Sequence, residues 1–301
     1  MVVDQLPEPP TPDPGEIAGL REQAYEHWAQ AGVDAKLDGV QALWAQVVGV
    51  AGADRARGNS AIPGVVSNAP GARVLDTAAR SGAGLEPGRP ARPRLVDPRK
   101  VPRRGAGGAR ARAGLLHAIA HIEFNAINLA LDAVWRYPAM PQAFALDWLA
   151  VAADECRHFG LVRALLREAG HDYGDFDAHD GLWQMAVRTH DDLLARMALV
   201  PRVLEARGLD ATPPIQARLR AAGDEAACAV LQIILDDEIG HVRLGDHWFR
   251  LLAAQAGLDP EAAYLGLIEQ HGAPMPRAPL NRDARLAAGF SERELGRLEA
   301  R

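Results

Sequence analysis

Asp154-Glu155-Cys156-Arg157-His158 recurs in altered form as Asp237-Glu238-Ile239-Gly240-His241, and this repeat is the strongest structural signal in the 301-residue chain. Both copies contain Glu-x-x-His, which on a helix places a carboxylate and an imidazole one turn apart on the same face. Each copy follows another glutamate at nearly the same spacing: Glu123 precedes the first motif glutamate by 32 residues, and Glu205 precedes the second by 33. These matching spacings predict two helical hairpins that bring four helices together.

The residues around the motifs predict that these carboxylates face inward. Steps of three or four residues from each acid or imidazole meet mainly apolar side chains. The apolar positions are Leu116, Ala120, Ile127, Ala130 and Val134 around Glu123; Phe144, Trp148, Val151, Val162 and Leu165 around Glu155 and His158; and Ala227, Leu231, Ile234, Gly245, Trp248 and Leu252 around Glu238 and His241. A lone buried carboxylate is costly to desolvate, and a cation is the simplest compensation for its charge.

We therefore predict an all-α fold, an antiparallel four-helix bundle. Its helices are expected at Ala111 to Tyr137, Pro141 to Ala169, Gly181 to Arg207 with a resumption at Ile215 to Ala222, and Asp224 to Gln255. Turns are expected at Pro138 and at Ala222-Gly223-Asp224, because glycine commonly ends a helix and aspartate commonly starts one. Pro201 and the stretch from Gly208 to Pro214 predict a break in the third helix. The break lies close to Glu205 and leaves open whether that glutamate reaches the others.

Two further regions are predicted outside the bundle, which is assigned to residues 111–257. Residues 1–110 form an N-terminal arm that lies over the bundle, and residues 258–301 form a C-terminal tail of short helices. The expected helices of these regions are Glu16 to Gln30 and Ala35 to Val50 in the arm, Pro260 to Gln270 in the tail, and a short one opened by the capping box Ser291-Glu292-Arg293-Glu294.

Composition limits the class of protein. The formal net charge is −6, and no apolar run reaches the roughly 18 residues of a membrane span. The first residues lack the basic and apolar parts of a secretory signal. Cys156 and Cys228 both fall in predicted helices, so a disulfide framework is not expected. The expectation is a cytoplasmic protein without a membrane partner.

The arm contains one run of basic residues. Its members are Arg89, Arg92, Arg94, Arg99, Lys100, Arg103, Arg104, Arg110 and Arg112, with Asp97 the one acid among them. Such a run can contact phosphate groups, but this one has no interleaved aromatic residues, and the chain as a whole is acidic. We favour a connector that pairs with the acidic body over a nucleic-acid contact.

Four glutamates and two histidines at one level of a bundle predict a site for two metal ions. The expected ligands are Glu123, Glu155, His158, Glu205, Glu238 and His241. Carboxylate-rich ligation with one histidine per ion favours two iron ions, with manganese or a mixed pair as alternatives, over zinc. Asp154 and Asp237 are expected to accept the free imidazole N–H of the opposite histidine; the alternative is that both are rim carboxylates.

The first bundle helix also carries a polar stripe. It consists of His117, His121, Asn125, Asn128 and Asp132. His121 is expected beside the metal level. For the other four we favour a solvated face, with a substrate path or a contact with the N-terminal arm as alternatives.

Five segments carry a resemblance to a known family: His117 to Glu123, Asp154 to His158, His171 to Trp183, Val200 to Asp210 and Asp237 to His241. Through them the stretch from Pro87 to Leu298 resembles a bacterial ferritin-like family of unknown function within the di-iron carboxylate superfamily. The resemblance implies a ferritin-like four-helix bundle, the six ligands named above, and a diferrous centre that reacts with dioxygen or peroxide.

The resemblance also implies an activity, an oxygen-dependent oxidase or monooxygenase acting on a small molecule or a nucleotide. The alternatives are a ferritin-like iron oxidation or storage protein, a tRNA-modifying hydroxylase, and a metal-free helical scaffold. A radical-generating reductase subunit is disfavoured, because similar proteins carry a tyrosine one turn after the first histidine and Val162 stands there. Neither a substrate nor an electron donor follows from the resemblance, and a homodimer stays open.

Overall fold

The computed structural model describes residues 14–50, 76–80, 86–101 and 108–300. Within these ranges the all-α prediction is confirmed, with one isolated β-bridge between Leu95 and Ala178. The α-helices are α1 (Pro14–Ala29), α2 (Val33–Val50), α3 (Ala109–Arg136), α4 (Gln142–Glu168), α5 (Gly181–Arg188), α6 (Leu193–Leu199), α7 (Ala206–Ala221), α8 (Glu225–Gln255), α9 (Pro260–Gln270), α10 (Arg282–Ala287) and α11 (Glu292–Glu299). A π-helix, Val200–Glu205, joins α6 to α7. None of the described helices is both long and apolar enough to span a membrane.

The long helices pack in the pairs that the hairpin spacing predicts: α3 lies along α4, and α7 lies along α8. Both predicted turns are present, one joining α3 to α4 and the other joining α7 to α8. At the second turn Gly223 has a positive φ of 78°, and the Asp224 side chain accepts a hydrogen bond from the Ala227 N–H. Across the bundle α4 contacts α8.

The third predicted helix differs from its prediction. The chain is interrupted at residues 189–192, between α5 and α6, and then runs through the π-helix and α7 without the break expected at residues 208–214. Pro213 and Pro214 lie inside α7. A proline at 213 removes the N–H that would bond the Leu209 carbonyl, and the Asn281 side chain donates to that carbonyl instead, at 3.1 Å. A contact from the tail therefore replaces the missing helical hydrogen bond.

The arm helices pack on the bundle, α1 against α3 and α2 against α4. Arg21 of α1 donates to the carbonyl oxygens of Val134 and Met140 at 2.6 and 2.7 Å, and so satisfies one acceptor at the end of α3 and one in the turn that follows. Lys36 of α2 is fully buried, and its ammonium donates to the carbonyls of Trp28 and Gly88 and to the Asn128 side chain.

Candidate metal centre

Three helices bring three glutamates and an imidazole to one place in the core. Glu123 comes from α3, Glu155 and His158 from α4, and Glu238 from α8. One ligand atom from each of these four residues lies within 4.8 Å of all the others, and all four residues are buried. Glu-x-x-His at helical spacing accounts for the α4 pair. The apolar side chains that flank each acid at steps of three or four residues, here called the apolar seams, account for the burial.

Glu155 lies between the two imidazoles. Its Oε2 is 3.2 Å from Nδ1 of His158, and its Oε1 is 3.0 Å from Nδ1 of His241. Glu123 Oε2 approaches the first imidazole at 3.5 Å, and Glu238 Oε2 approaches the second at 3.9 Å. Each histidine thus faces a carboxylate of its own and a shared one.

Glu205 is buried at the end of the π-helix, where its charge interacts with those of Glu155 and His241. It lies outside the tight group of four. The structure therefore brings all six predicted ligands into one core region, four of them closely and the other two beside them.

Several carboxylate and imidazole atoms of this region lack a well-formed hydrogen bond. Among the described residues they include Glu123 Oε2, Glu155 Oε1, Glu205 Oε2, Glu238 Oε2 and His241 Nδ1. Two of them, Glu155 Oε1 and His241 Nδ1, form an ion pair with each other at 3.0 Å. Leaving one buried polar atom unpaired costs about 1–3 kcal/mol, and folded proteins contain few of them. Several such incompletely bonded atoms in one place are typical of a site that a cation completes, because carboxylate oxygens and imidazole nitrogens are metal ligands.

Burial controls the protonation of the outer glutamates. It raises the pKa of Glu123 to about 8. Burial and the nearby Glu155 charge raise the pKa of Glu205 to about 7, and the same causes raise the pKa of Glu238 well above its ordinary value. Without a cation these three carboxyl groups tend to hold protons.

Glu155 and the two imidazoles, unlike the outer glutamates, have pKa values shifted in favour of their charged forms. Burial alone would raise the pKa of Glu155, but the hydrogen bond with His158 and the ion pair with His241 outweigh it and hold that pKa below its usual range. Burial would lower the pKa of both imidazoles, but their carboxylate partners outweigh it and raise both pKa values. In the metal-free protein the imidazolium protons therefore compensate the central negative charge.

The far nitrogen of each imidazole meets an aspartate from the opposite motif. His158 Nε2 is 3.0 Å from Asp237 Oδ2, and His241 Nε2 is 3.4 Å from Asp154 Oδ2. Arg157, 43% exposed, lies between these aspartates, with Nη2 2.5 Å from Asp237 Oδ2 and 3.4 Å from Asp154 Oδ1. Sequence reasoning missed Arg157, although its position between the motif glutamate and histidine was a signal for it.

His121 belongs to a different set of contacts. Its Nδ1 is 2.9 Å from the Tyr173 hydroxyl, and its Nε2 is 3.1 Å from the His179 carbonyl oxygen. Burial lowers the pKa of His121 to about 3, so the ring is neutral. The structure thus joins His121 to the loop before α5, and its described contacts do not include the six predicted ligands.

The solvated-face interpretation of the polar stripe is wrong, because all its members are buried. Two members of the stripe contact the arm, as the alternative interpretation predicted. Asn125 accepts from Arg89 at 3.2 Å, and Asn128 accepts from Lys36.

Three members of the basic run pair with acids elsewhere in the chain. Arg89 lies 2.8 Å from Asp180, and Arg94 lies 2.6 Å from Asp177. Arg112 lies 2.5 Å from an oxygen of Asp224. Two members, Arg103 and Arg104, lie outside the described residues. These pairs agree with the connector interpretation.

Comparison with known proteins gives one family and one close relative. The family described as protein of unknown function (DUF455) matches residues 33–296. An uncharacterized protein of Haemophilus influenzae is 49% identical over 213 residues, which cover 68% of this chain and 74% of the relative. No solved structure matches the chain.

Proposed function

We propose that this chain, which belongs to the DUF455 family of proteins of unknown function, holds two metal ions in the core and uses them in oxygen-dependent oxidation. One observation carries the proposal: four buried glutamates and two buried histidines meet in one region of the described core, where five of their carboxylate and imidazole atoms lack a well-formed hydrogen bond. A metal-free scaffold gains nothing from such a cluster, because burying four carboxyl groups with only two imidazoles to pair with them costs free energy.

The distances, and for Glu205 its charge interaction with His241, support a division of the six ligands between two ions. Glu123 and His158 would hold the first ion, and Glu205 and His241 the second. Glu155 would bridge them, since its two oxygens face different imidazoles. Glu238 would be the second bridge, because it belongs to the tight group around His158 and also approaches His241. A glutamate from each of two helices and Glu-x-x-His from each of two others is the ligand pattern of ferritin-like di-iron proteins.

Iron is the metal we propose, with manganese or a mixed pair as alternatives. The site has four carboxylates in total and one imidazole for each ion. This ligand set favours these harder ions over zinc. When bound, a pair of ferrous ions supplies the electrons for the reduction of dioxygen or peroxide. The chain's own residues bind the ions, orient the imidazoles through Asp154 and Asp237, and exclude bulk water by burial.

An oxidase or monooxygenase is favoured over an iron-storage protein. Storage shells require free helix faces for assembly between subunits, and here α1 and α2 already cover α3 and α4. A tRNA substrate receives little support from the basic run, because three of its described arginines, Arg89, Arg94 and Arg112, pair with acids of the same chain. The substrate class we propose is therefore a small molecule.

Metal analysis of the full chain tests the proposal. Purified anaerobically and loaded with ferrous ion, the protein should hold two iron ions per chain. Glu155→Ala and His241→Ala should lose most of this iron and keep most of the helicity, because the surrounding seams are apolar. Glu168→Ala, an exposed position on the same helix as Glu155, is the matched control and should keep both ions. Full iron content in the two site variants would exclude this centre.

Reaction with oxygen tests the activity separately. Mixing the ferrous protein with dissolved dioxygen should oxidise the iron within one rapid phase that Glu155→Ala lacks. A small-molecule substrate should change the rate or the product of that phase. Iron that binds but does not react with oxygen or peroxide would refute the oxidase proposal and leave the metal site standing.

A further inference from the structure

The π-helix that ends at Glu205 contains a buried arginine held by aromatic rings. Arg202 is fully buried, three residues before Glu205. Its guanidinium carbon lies 4.7 Å from the ring centroid of Phe249, 4.1 Å from that of Tyr264 and 4.7 Å from that of Phe290. Tyr264 and Phe290 belong to the C-terminal tail, so the tail encloses this side chain.

The same arginine joins two buried carboxylates. Its Nε lies 2.8 Å from Asp246 Oδ1 on α8, and its Nη2 donates to Glu294 Oε1 at 2.6 Å on α11. Arg250 bonds the second oxygen of each acid, at 2.8 and 2.9 Å. A buried charge requires its partners, so the π-helix and the tail stabilise each other.

Two backbone contacts fix the π-helix as well. The Tyr264 hydroxyl donates to the Arg202 carbonyl at 2.9 Å. Pro201 packs against α8 where Gly245 has no side chain, because a Cβ there would lie 2.3 Å from the Pro201 side chain. The turn that carries Glu205 is therefore held on both sides, by α8 and by the tail.

We propose that the C-terminal tail positions Glu205 through Arg202, so that the second metal ion depends on the tail and the first does not. This inference rests on the proposed function, since it concerns how the six ligands are divided. Glu123 and His158 lie on α3 and α4, and the contacts that hold the π-helix come from α8 and the tail. Breaking those contacts should leave a centre with one ion.

Two substitutions break the contacts that hold the π-helix, each in an independent way. Arg202→Met removes the charge that joins α8, α11 and the π-helix. Gly245→Ala forces Pro201 away. The matched controls are Arg196→Met, which removes another buried ion-paired arginine whose partner is Asp132 on α3, and Gly160→Ala, whose added Cβ meets nothing within 4 Å.

Ferrous ion under anaerobic conditions is the probe, and metal content and chelator competition are the readouts. Wild type and controls should bind two ions, whereas Arg202→Met and Gly245→Ala should bind one tightly. Tyr264→Phe, which loses only a hydroxyl, keeps the test valid if the larger changes prevent folding. It should weaken the second ion about fivefold, the effect of one hydrogen bond. In the metal-free variants, amide exchange should accelerate at residues 200–206.

The outcomes separate the two proposals. Two ions in every variant, with wild-type affinities, would overturn the positioning role, and a lower melting temperature alone would mean that Arg202 is merely structural. Loss of both ions together would also overturn it. No ion in the wild-type chain would overturn the proposed function and this inference with it.

Discussion

Arg157 and the two aspartates it joins connect the two imidazoles by a continuous chain of polar contacts. His158 meets Asp237, both aspartates meet Arg157, and Asp154 meets His241. An acceptor behind a ligating imidazole fixes its tautomer and orientation, and its loss weakens metal binding about 10- to 100-fold. Arg157 is therefore placed to influence both proposed ions.

Single substitutions can separate these influences. Asp237→Asn should weaken the ion held by His158, and Asp154→Asn the ion held by His241. Arg157→Ala should weaken both, by a smaller factor because the side chain is partly exposed. Stepwise chelator competition measures the affinity of each ion. The control is Arg167→Ala, because Arg167 forms an exposed ion pair with Asp172. Equal effects of the two aspartate variants on both ions would contradict the division.

Asp147 gives the protein a pH dependence away from the metal centre. Its Oδ2 accepts from Trp248 Nε1 at 3.0 Å, and its Oδ1 has no hydrogen-bond partner among the described residues. Burial raises the pKa of Asp147 from its ordinary value of 3.8 to about 7, although the Trp248 hydrogen bond opposes the shift. The folded protein holds this proton more tightly than the unfolded chain does.

The free energy of unfolding should therefore fall as pH rises from about 4 to about 7, because the unfolded chain releases the proton first. The loss is at most about 4 kcal/mol, at ~1.4 kcal/mol per pKa unit. Asp147→Asn keeps an acceptor for Trp248 and cannot ionise, so it should stabilise the protein at about pH 8 relative to wild type and have little effect near pH 4. Urea denaturation at both pH values measures this. A stabilisation that does not change with pH would refute it.

At this scale the sequence predicts which residues form the candidate site but not all of their partners. Glu155 and His158 stand out because they interrupt an apolar seam. Arg157 and Asp147 acquire their roles from the residues that face them on α8, and helical periodicity within α4 does not determine that register. Their roles could therefore be seen only in the structure.

The third helix shows how one element depends on another. Asn281 has two functions at the junction of α7 and α10: its Oδ1 accepts the Ala284 N–H as a helix N-cap, and its Nδ2 bonds the Leu209 carbonyl freed by Pro213. The break predicted from the prolines is absent because this donor comes from a residue 72 positions away. Local propensity contains no information about such a contact.

Asn281 variants separate its two functions. Asn281→Ser keeps a capping oxygen but loses the donor, so it should destabilise the protein by about 1–2 kcal/mol, the effect of an unpaired buried carbonyl. Asn281→Ala loses the cap too, and should cost about 1 kcal/mol more. Chemical denaturation compares the three proteins. A serine variant as stable as wild type would mean that the Leu209 carbonyl needs no replacement donor.

Elements with local signals were predicted well. Gly223 and Asp224 mark the turn between α7 and α8, and the α11 capping box at Ser291 is present as expected. Helix α9 has the predicted bounds, Pro260–Gln270. In each case neighbouring residues satisfy the helix ends, so no distant partner is needed.

Over the whole molecule, the all-α class followed from periodicity, but the burial of the α3 polar stripe did not. Lys36 meets Asn128 across 92 residues of sequence, and Arg89 meets Asn125 across 36. The sequence alone does not distinguish a polar helix face that is exposed to solvent from one that another polar segment covers. The arm was expected over the bundle, and the missing information was which face of α3 it covers.

Metal binding should stabilise the entire fold and should compete with protons. Ions that bind only the folded chain stabilise it by RT ln(1 + [L]/Kd), about 4 kcal/mol at a thousandfold excess over Kd. The pKa values of Glu123 and Glu205 are raised to about 8 and about 7, and those of both imidazoles are raised too, so the ligands must release protons to bind metal.

The rise in melting temperature on adding ferrous ion under anaerobic conditions should therefore be larger at about pH 8 than at about pH 6, because protons occupy the ligands at the lower pH. A stabilisation of about 4 kcal/mol corresponds to roughly 6 °C in a chain of this size. Glu155→Ala should show no shift at either pH, and Mg²⁺ should produce little, since it retains its water ligands. A shift that is equal at both pH values, or that Mg²⁺ reproduces, would indicate general charge screening in place of ligation by these six residues.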